Sequence, residues 1–135
     1  KFHEVIDDEA FRQQPEKAQK VLLCSGKLYY ELAAERAAKS IEDIAIVRLE
    51  QLHPMPEHQL QQVYDRYSNA TFHWVQEEPK NKGAWTYLLR WKENMKQLSL
   101  IARKASASPA TGFSNVHKRE QQAIINQALD LNPSE

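Results

Sequence analysis

Four short apolar runs, each followed by a segment with helical spacing, restrict the possible folds of this chain more than any other feature. The apolar runs are Val21–Cys24, Ile44–Leu49, Thr71–Gln76 and Leu98–Arg103. The segments with apolar residues three or four positions apart are 27–39, 57–67, about 84–95 and 114–129. Strands that alternate with helices form a mostly parallel sheet covered on both faces, so we predict an α/β fold.

Length and charge narrow the possible functions. At 135 residues the chain is long enough for one domain, and 18 basic and 18 acidic side chains give zero net charge. A general nucleic-acid binder needs a positive field, which this balance does not supply. No apolar run approaches the ~20 residues of a membrane-spanning helix. The chain begins without a methionine, so we expect a fragment of a longer protein, with a lead-in at residues 1–19 and one α/β domain at 20–135.

The single cysteine and the histidines do not predict a site of their own. Cys24 has no second cysteine to pair with, which fits a reducing compartment. It lies in an apolar run, where cysteine is usually a small hydrophobe rather than a nucleophile. The five histidines lack the close pairs on a common face that a zinc site needs.

The stretch Thr71–Lys82 places charged side chains where a predicted strand leaves the sheet. Its apolar first half is followed by Glu77, Glu78 and two lysines, and then by a turn at Gly83. In open α/β sheets, functional groups gather just past the carboxyl ends of strands. The two adjacent carboxylates should point to opposite sides of the chain. That arrangement favours ion pairing or an interface over acid–base catalysis, which needs two convergent carboxylates.

Two further stretches could bind an anion. Ser25-Gly26-Lys27 lies at a strand-to-helix junction, where free backbone amides favour an anion, but it lacks the pattern of a Walker phosphate loop. We favour a capping serine and a tight-turn glycine there. Arg103 and Lys104, beside Ser106 and Ser108, could hold a phosphate or carboxylate, or could lock onto another domain.

Several motifs occur in the order found in a known enzyme family. They are Leu23–Tyr30, Ile44–Leu52, Trp74–Pro79 with Gly83–Trp85, and Ala105–Gly112 with Val116 and His117. Over about residues 2–131 the chain resembles the C-terminal domain of the thiamine-diphosphate-dependent 2-oxoglutarate dehydrogenases, which are the decarboxylating first components of their complexes.

The resemblance implies a transketolase-like C-terminal domain, a three-layer α/β fold with a mostly parallel five-stranded sheet between helices. The parent enzyme would use thiamine diphosphate and Mg²⁺ to decarboxylate 2-oxoglutarate, or its relative 2-oxoadipate. It would pass the succinyl group to the lipoyl arm of the succinyltransferase. The cofactors would lie in the preceding domains at a homodimer interface, so we expect this chain alone to bind neither and to be inactive. The parent would be cytoplasmic in a bacterium or in the mitochondrial matrix of a eukaryote.

The resemblance also implies contact surfaces at 76–85 and 105–112. The interface or regulatory candidates are Gln51, Gln76, Glu77, Glu78, Lys80, Trp85, Arg103, Lys104, Ser106 and Ser108. We expect no catalytic, cofactor-binding or metal-binding residue in the chain. Some family members respond to acetyl-CoA through a glutamine and two arginines. Gln51 matches the glutamine, but His58 and Gln59 stand at the arginine positions, which argues against that regulation.

Two other functions remain open at this point. One is a stand-alone regulatory module that uses this fold to bind a nucleotide or acyl-CoA, and the other is a purely structural dimerisation domain. If the chain is a domain cut from its neighbours, it should expose a larger apolar patch than an ordinary monomer. We expect that patch along Trp85, Trp91 and residues 106–113.

Overall fold

The computed structural model describes residues 3–52, 54–92, 98–103 and 114–131. Within these ranges the strands are β1 (Val5–Ile6), β2 (Lys20–Cys24), β3 (Ile44–Leu49), β4 (Thr71–Pro79) and β5 (Leu98–Arg103). The helices are α1 (Lys27–Ala38), α2 (Glu57–Arg66), α3 (Trp85–Lys92) and α4 (Ser114–Ala128). Two short 3₁₀ turns, Glu9–Phe11 and Pro15–Lys17, precede β2.

The strands form one sheet in the order β1-β3-β2-β4-β5. Strands β3, β2, β4 and β5 run parallel, whereas β1 pairs antiparallel with β3 at the edge. This arrangement confirms the predicted mostly parallel five-stranded sheet. The edge strand β1 comes from the segment that we expected to be a lead-in, and it pairs Val5 with Leu49 and Ile6 with Arg48.

Neighbouring residues of each central strand belong to opposite faces of the sheet. Val21 and Leu23 pack with the apolar residues of α2 and α3, while Leu22 and Cys24 pack with those of α1 and α4. Both faces of β2 are therefore fully buried, which is why its sequence reads as a continuous apolar run. The molecule has three layers, with α2 and α3 on one side of the sheet and α1 and α4 on the other.

The order of the strands creates a crevice between β2 and β4. The chain leaves β2 toward β3 on one side, and later returns through α2 to β4 on the other side of β2. The connections therefore diverge from the carboxyl ends of these two neighbouring strands. Such a switch point is where open α/β sheets usually bind their ligands.

Strand β4 is longer than the sequence predicted. The pattern indicated an end at Gln76, but the strand continues to Pro79, which pairs with Arg103 after a register shift that begins at Val75. A bulge of this kind bends a strand and redirects its side chains. The predicted loop residues Glu77 and Glu78 therefore belong to the end of the strand.

Candidate functional site

A cavity of about 300 Å³ lies in the crevice at the carboxyl ends of β2 and β4. The turn after β2 and the first residues of α1 form one wall, and Trp74–Glu78 of β4 form the other. Leu52 and Ala84 complete the lining. A second cavity, of about 550 Å³, lies between β5 and α4 and includes Arg103. The cavity at the switch point combines more of the sequence-predicted residues, because Gln76, Glu77 and Glu78 all line it.

Gln76 joins the end of β4 to the segment that follows it. Its side chain is buried, with 3% of the residue exposed. Its Oε1 accepts hydrogen bonds from the indole Nε1 of Trp74 at 2.8 Å and from the backbone N–H of Trp85 at 3.1 Å. Its Nε2 donates to the carbonyl oxygens of Glu78, Pro79 and Lys82, at 3.1, 2.8 and 2.8 Å. Gln76 was predicted as a contact residue, but its amide is fully used within this chain.

Gly83 allows the same segment to close over Gln76. Its φ of +72° lies in the left-handed region that side chains disfavour, and this confirms the predicted turn. A Cβ at this position would lie 3.0 Å from Oε1 of Gln76 and 3.1 Å from a carboxylate oxygen of Glu78. Both the backbone conformation and the lack of space therefore require glycine here.

Glu77 and Glu78 lie at the end of β4 and have different surroundings. Glu77 Oε1 accepts a hydrogen bond from Nε2 of Gln121 on α4 at 2.9 Å, whereas the carboxylate of Glu78 lies against Gly83. None of the ion pairs formed within the described ranges involves either residue. At Glu77, a hydrogen bond to a glutamine therefore takes the place of the ion pairing that the sequence favoured. Lys80 is exposed.

The sequence analysis did not identify Gln121 or Glu31. Gln121 is 7% exposed, and its Nε2 also donates to Oε2 of Glu31 on α1 at 2.8 Å. The signal was present, because Gln121 precedes Ile124, Ile125 and Ala128 at the spacing of one buried helical face. A polar residue in such a stripe must find a buried partner.

The structure corrects the predicted cap of α1. Gly26, with a φ of +64°, is the N-cap residue of the helix, and no side chain forms a cap hydrogen bond. The expectation of a capping serine at Ser25 is therefore wrong, while that of a turn glycine is confirmed. Lys27 is exposed at the mouth of the cavity.

Trp85 does not belong to an exposed apolar patch. It is the first residue of α3, is 4% exposed and belongs to the core, so the expectation of a patch at this residue is wrong. The large apolar side chains exposed in the described part of the chain are Tyr30, Tyr87 and Leu89. The side chain of Trp91 and residues 106–113 lie outside that part, so the rest of the expectation stays a prediction.

The other candidates do not converge on the cavity. Nε of Arg103 forms an ion pair of 2.7 Å with Oε2 of Glu120, and its guanidinium also contacts His117 Nδ1 at 3.1 Å. Nε2 of Gln51 donates to the carbonyl of Pro54 at 3.2 Å. Lys104, Ser106 and Ser108 lie outside the described residues.

Cys24 is a buried member of the core, as the sequence predicted. Burial raises the pKa of its thiol to about 12, although nearby Arg48 favours the thiolate. A thiol with so high a pKa is protonated at neutral pH and is a poor nucleophile.

The described ranges contain no group of three or more His, Cys, Asp and Glu side chains that could hold a metal ion. None of the helices in this part of the chain is long and apolar enough to cross a membrane.

Comparison with known proteins identifies similar chains. Residues 1–129 match the family described as 2-oxoglutarate dehydrogenase C-terminal. The multifunctional 2-oxoglutarate metabolism enzyme of Mycolicibacterium vanbaalenii is 42% identical over 138 residues, covering 96% of this chain and 11% of the relative. The oxoglutarate dehydrogenase of Buchnera aphidicola is 39% identical, covering 97% of this chain and 15% of the relative. The probable 2-oxoadipate dehydrogenase complex component E1 homolog of Dictyostelium discoideum is 40% identical, covering 96% of this chain and 15% of the relative. This chain therefore spans only 11% to 15% of the length of these relatives.

A solved structure supports the fold independently. A split-gene transketolase, described as an inactive β4 tetramer, aligns with a TM-score of 0.55 over 85% of this chain and 40% of its own chain. The sequence identity is 14%, so the similarity concerns the fold alone. It confirms the predicted transketolase-like architecture.

Proposed function

We propose that this chain, which belongs to the 2-oxoglutarate dehydrogenase C-terminal family, is one domain of a longer enzyme that oxidatively decarboxylates 2-oxoglutarate and transfers the succinyl group to lipoyl groups. The observation that carries the proposal is the match of residues 1–129 to this family, together with the similarity to relatives of whose length this chain covers 11% to 15%. Most of the machinery of the parent enzyme would then lie in other domains.

Thiamine diphosphate and Mg²⁺ are proposed to bind outside this chain. When bound, thiamine diphosphate supplies the carbanion stabilisation that decarboxylation of a 2-oxo acid needs. Among the described residues there is no cluster of metal-ligating side chains, and Glu77 and Glu78 on the wall of the cavity would repel a diphosphate. The residues present therefore do not fit these cofactors.

This domain is proposed to support the active-site walls and the homodimer of the parent enzyme. Gln76 holds residues 78–85 in one conformation through hydrogen bonds to their backbone, so the segment can present a fixed surface. A surface that is ordered in advance loses less conformational entropy when it docks. The succinyltransferase would meet the assembled enzyme, either in the bacterial cytoplasm or in the mitochondrial matrix.

One observation favours the alternative of a nucleotide- or acyl-CoA-binding regulatory module. The cavity lies at the switch point of the sheet and beside the first turn of α1, where such ligands bind in many α/β domains. The two carboxylates on its wall oppose a phosphorylated ligand.

The proposed function is tested with the longer gene product that contains this chain, purified with thiamine diphosphate and Mg²⁺. We expect 2-oxoglutarate-dependent reduction of ferricyanide by the full-length protein and none by the 135-residue chain. The matched control replaces 2-oxoglutarate with 2-oxoadipate, and faster turnover of 2-oxoadipate would reassign the substrate. If the gene encodes only these residues, or if the full-length protein turns over neither substrate, the enzyme proposal fails. Saturable binding of coenzyme A to the chain would then support the alternative.

A further inference from the structure

Glu31, Glu77 and Gln121 form a cluster in which a buried amide lies beside two half-buried carboxylates and hydrogen-bond donors are too few. The amide of Gln121 lies between the two carboxylates, and its Nε2 donates to both, at 2.8 and 2.9 Å. Its Oε1 is buried and has no hydrogen-bond partner among the described residues. One NH₂ group therefore donates to two carboxylates, while the carbonyl oxygen of the same amide accepts no hydrogen bond from the described residues.

The charges of this cluster are also uncompensated within the described ranges. Neither Glu31 nor Glu77 has a lysine, arginine or histidine nitrogen within 4.0 Å there. Arg103, the arginine at the end of the neighbouring strand, is already paired with Glu120. Buried polar atoms are normally satisfied, and carboxylates form their strongest hydrogen bonds with positively charged donors.

The cluster has a route of access. Glu77 lines the 300 Å³ cavity at the carboxyl ends of β2 and β4, and the amide of Gln121 on α4 joins its carboxylate to that of Glu31 on α1. A long side chain with a charged tip can enter such an opening, because its methylene stem covers apolar surface while its head reaches the acceptors. Leu28 and Leu52 supply that apolar surface.

We propose that Glu31, Glu77 and Gln121 receive one lysine or arginine side chain from another domain of the same polypeptide. The inference rests on the proposed function, because the relatives are so much longer than this chain that most of their residues lie outside it. The basic side chain would donate to both carboxylates and to Oε1 of Gln121. The cluster would then fix where this domain docks on the rest of the enzyme.

Agmatine, which carries a guanidinium and an ammonium group, is the probe for the 135-residue chain. We expect a saturable shift of the Gln121 side-chain amide in the NMR spectrum, and no shift with the neutral compound N-butylacetamide. E77Q keeps an acceptor but removes a charge, and it should weaken agmatine binding about tenfold. E78Q, at the adjacent exposed carboxylate, is the charge-matched control. It should weaken binding by less than about twofold, because Glu78 lines the same cavity but takes no part in the hydrogen bonds of the cluster. Equal binding by wild type, E77Q and E78Q overturns the proposal.

Lys27 is the internal competitor, because it also lines the cavity and lies one helical turn before Glu31. K27M should bind agmatine as tightly as the wild type or more tightly. If K27M abolishes the shift, the receptor assignment is wrong.

The full-length protein provides the second test. Limited proteolysis should release the domain about tenfold faster from E77Q than from E78Q, because only E77Q loosens the docked state. In the 135-residue chain, the Tm of E77Q should equal or exceed that of the wild type, since the variant relieves repulsion between two carboxylates. Equal rates of release from the two full-length variants would overturn the proposal. The proposal would also fail if the 135-residue chain formed a dimer that E77Q dissociates, because the site would then bind a second copy of the chain.

The two proposals can fail separately. If the wild-type full-length enzyme turns over 2-oxoglutarate while E77Q and E78Q behave alike, the docking inference fails and the enzyme assignment stands. If the full-length protein is inactive on 2-oxo acids but E77Q alone speeds release, the docking inference stands without the enzyme assignment.

Discussion

Gln76 and Gln121 lie near the same end of β4 and are almost equally buried, at 3% and 7% exposed, yet their hydrogen bonding differs. The amide of Gln76 makes five hydrogen bonds, all of them within a short stretch of chain around β4 and the start of α3. The amide of Gln121 joins three separate elements and leaves its carbonyl oxygen without a partner among the described residues.

This difference in hydrogen bonding distinguishes the packed interior of the domain, around Gln76, from the cluster around Gln121, where an acceptor is unsatisfied within the described residues. A buried amide with every group satisfied stabilises the fold that contains it, and its removal leaves its partners unsatisfied. A buried amide that has an unused acceptor and lies beside two carboxylates contributes less to the stability of the isolated domain, because the described part of the domain does not supply the missing donor. The two glutamines should therefore respond differently to the same substitution.

The largest expected effect is that of Gln76→Leu. This substitution removes the oxygen that accepts from the indole N–H of Trp74 and from the backbone N–H of Trp85 in the core, so it should lower the free energy of unfolding by about 3 kcal/mol. Urea unfolding, followed by tryptophan fluorescence, measures the change. At pH 5, Gln76→Glu keeps an oxygen that can accept from both N–H groups but lacks the NH₂ donor. It should therefore recover only part of the lost free energy of unfolding. A loss below about 1 kcal/mol in Gln76→Leu would show that Gln76 is not the structural centre of this segment.

Gly83→Ala should have the next largest effect. The left-handed backbone and the contact of 3.0 Å with Oε1 of Gln76 should together cost about 2 kcal/mol. In a Gln76→Ala background the contact with the amide no longer exists, so the same substitution should cost only the backbone strain and the 3.1 Å contact with the carboxylate of Glu78. A double-mutant cycle by urea unfolding isolates this difference. Additive losses would mean that Gly83 and Gln76 do not constrain each other.

The sequence predicted the architecture because its signals are local. The apolar runs that became β2, β3 and β5 are recognisable without knowledge of their partners. Strand β1 was not predicted, since two residues are too few for a period and the strand exists only through its pairing with β3. The end of β4 was missed because Glu77, Glu78 and Pro79 have the composition of a loop, although Pro79 pairs with β5.

The site was harder to predict, because it depends on where polar side chains point. Gln76 was assigned to a surface from its place in a motif, but strand alternation puts it on the same face as Phe72 and Trp74, which are core residues. Trp85 was expected to be exposed, yet its side chain is buried in the core at the start of α3. The link between Glu77 and Gln121 spans 44 positions, and no local pattern encodes such a contact.

Gln121→Leu tests the other half of the comparison and should cost the isolated chain no more than about 1 kcal/mol. Leucine fits the buried stripe of α4 and removes the unsatisfied carbonyl oxygen, while the two half-buried carboxylates can turn toward water. The contrast with Gln76→Leu is the informative quantity, because both variants make the same chemical change at a similar depth. If Gln121→Leu destabilises the chain as much as Gln76→Leu does, the cluster belongs to the interior of the domain and not to its edge.

The smallest expected effect is the dependence of stability on pH. Neither glutamine contributes to it, because an amide does not titrate. Burial and then the nearby Lys20 lower the pKa of His73 below its ordinary value of 6.5, although Asp130 opposes them. In the pH range between the folded and unfolded pKa values, the unfolded chain binds more protons, so stability is lost as the pH falls through about 6.5. The loss should stay below about 1 kcal/mol, because the imidazole is only half buried and solvent screens it.

Urea unfolding at pH 7.5 and 5.5 should show this loss in the wild type and a smaller loss in His73→Gln. The destabilisation caused by Gln76→Leu should be the same at both pH values. A cost of Gln76→Leu that changed with pH would mean that a titrating group takes part in the Gln76 network.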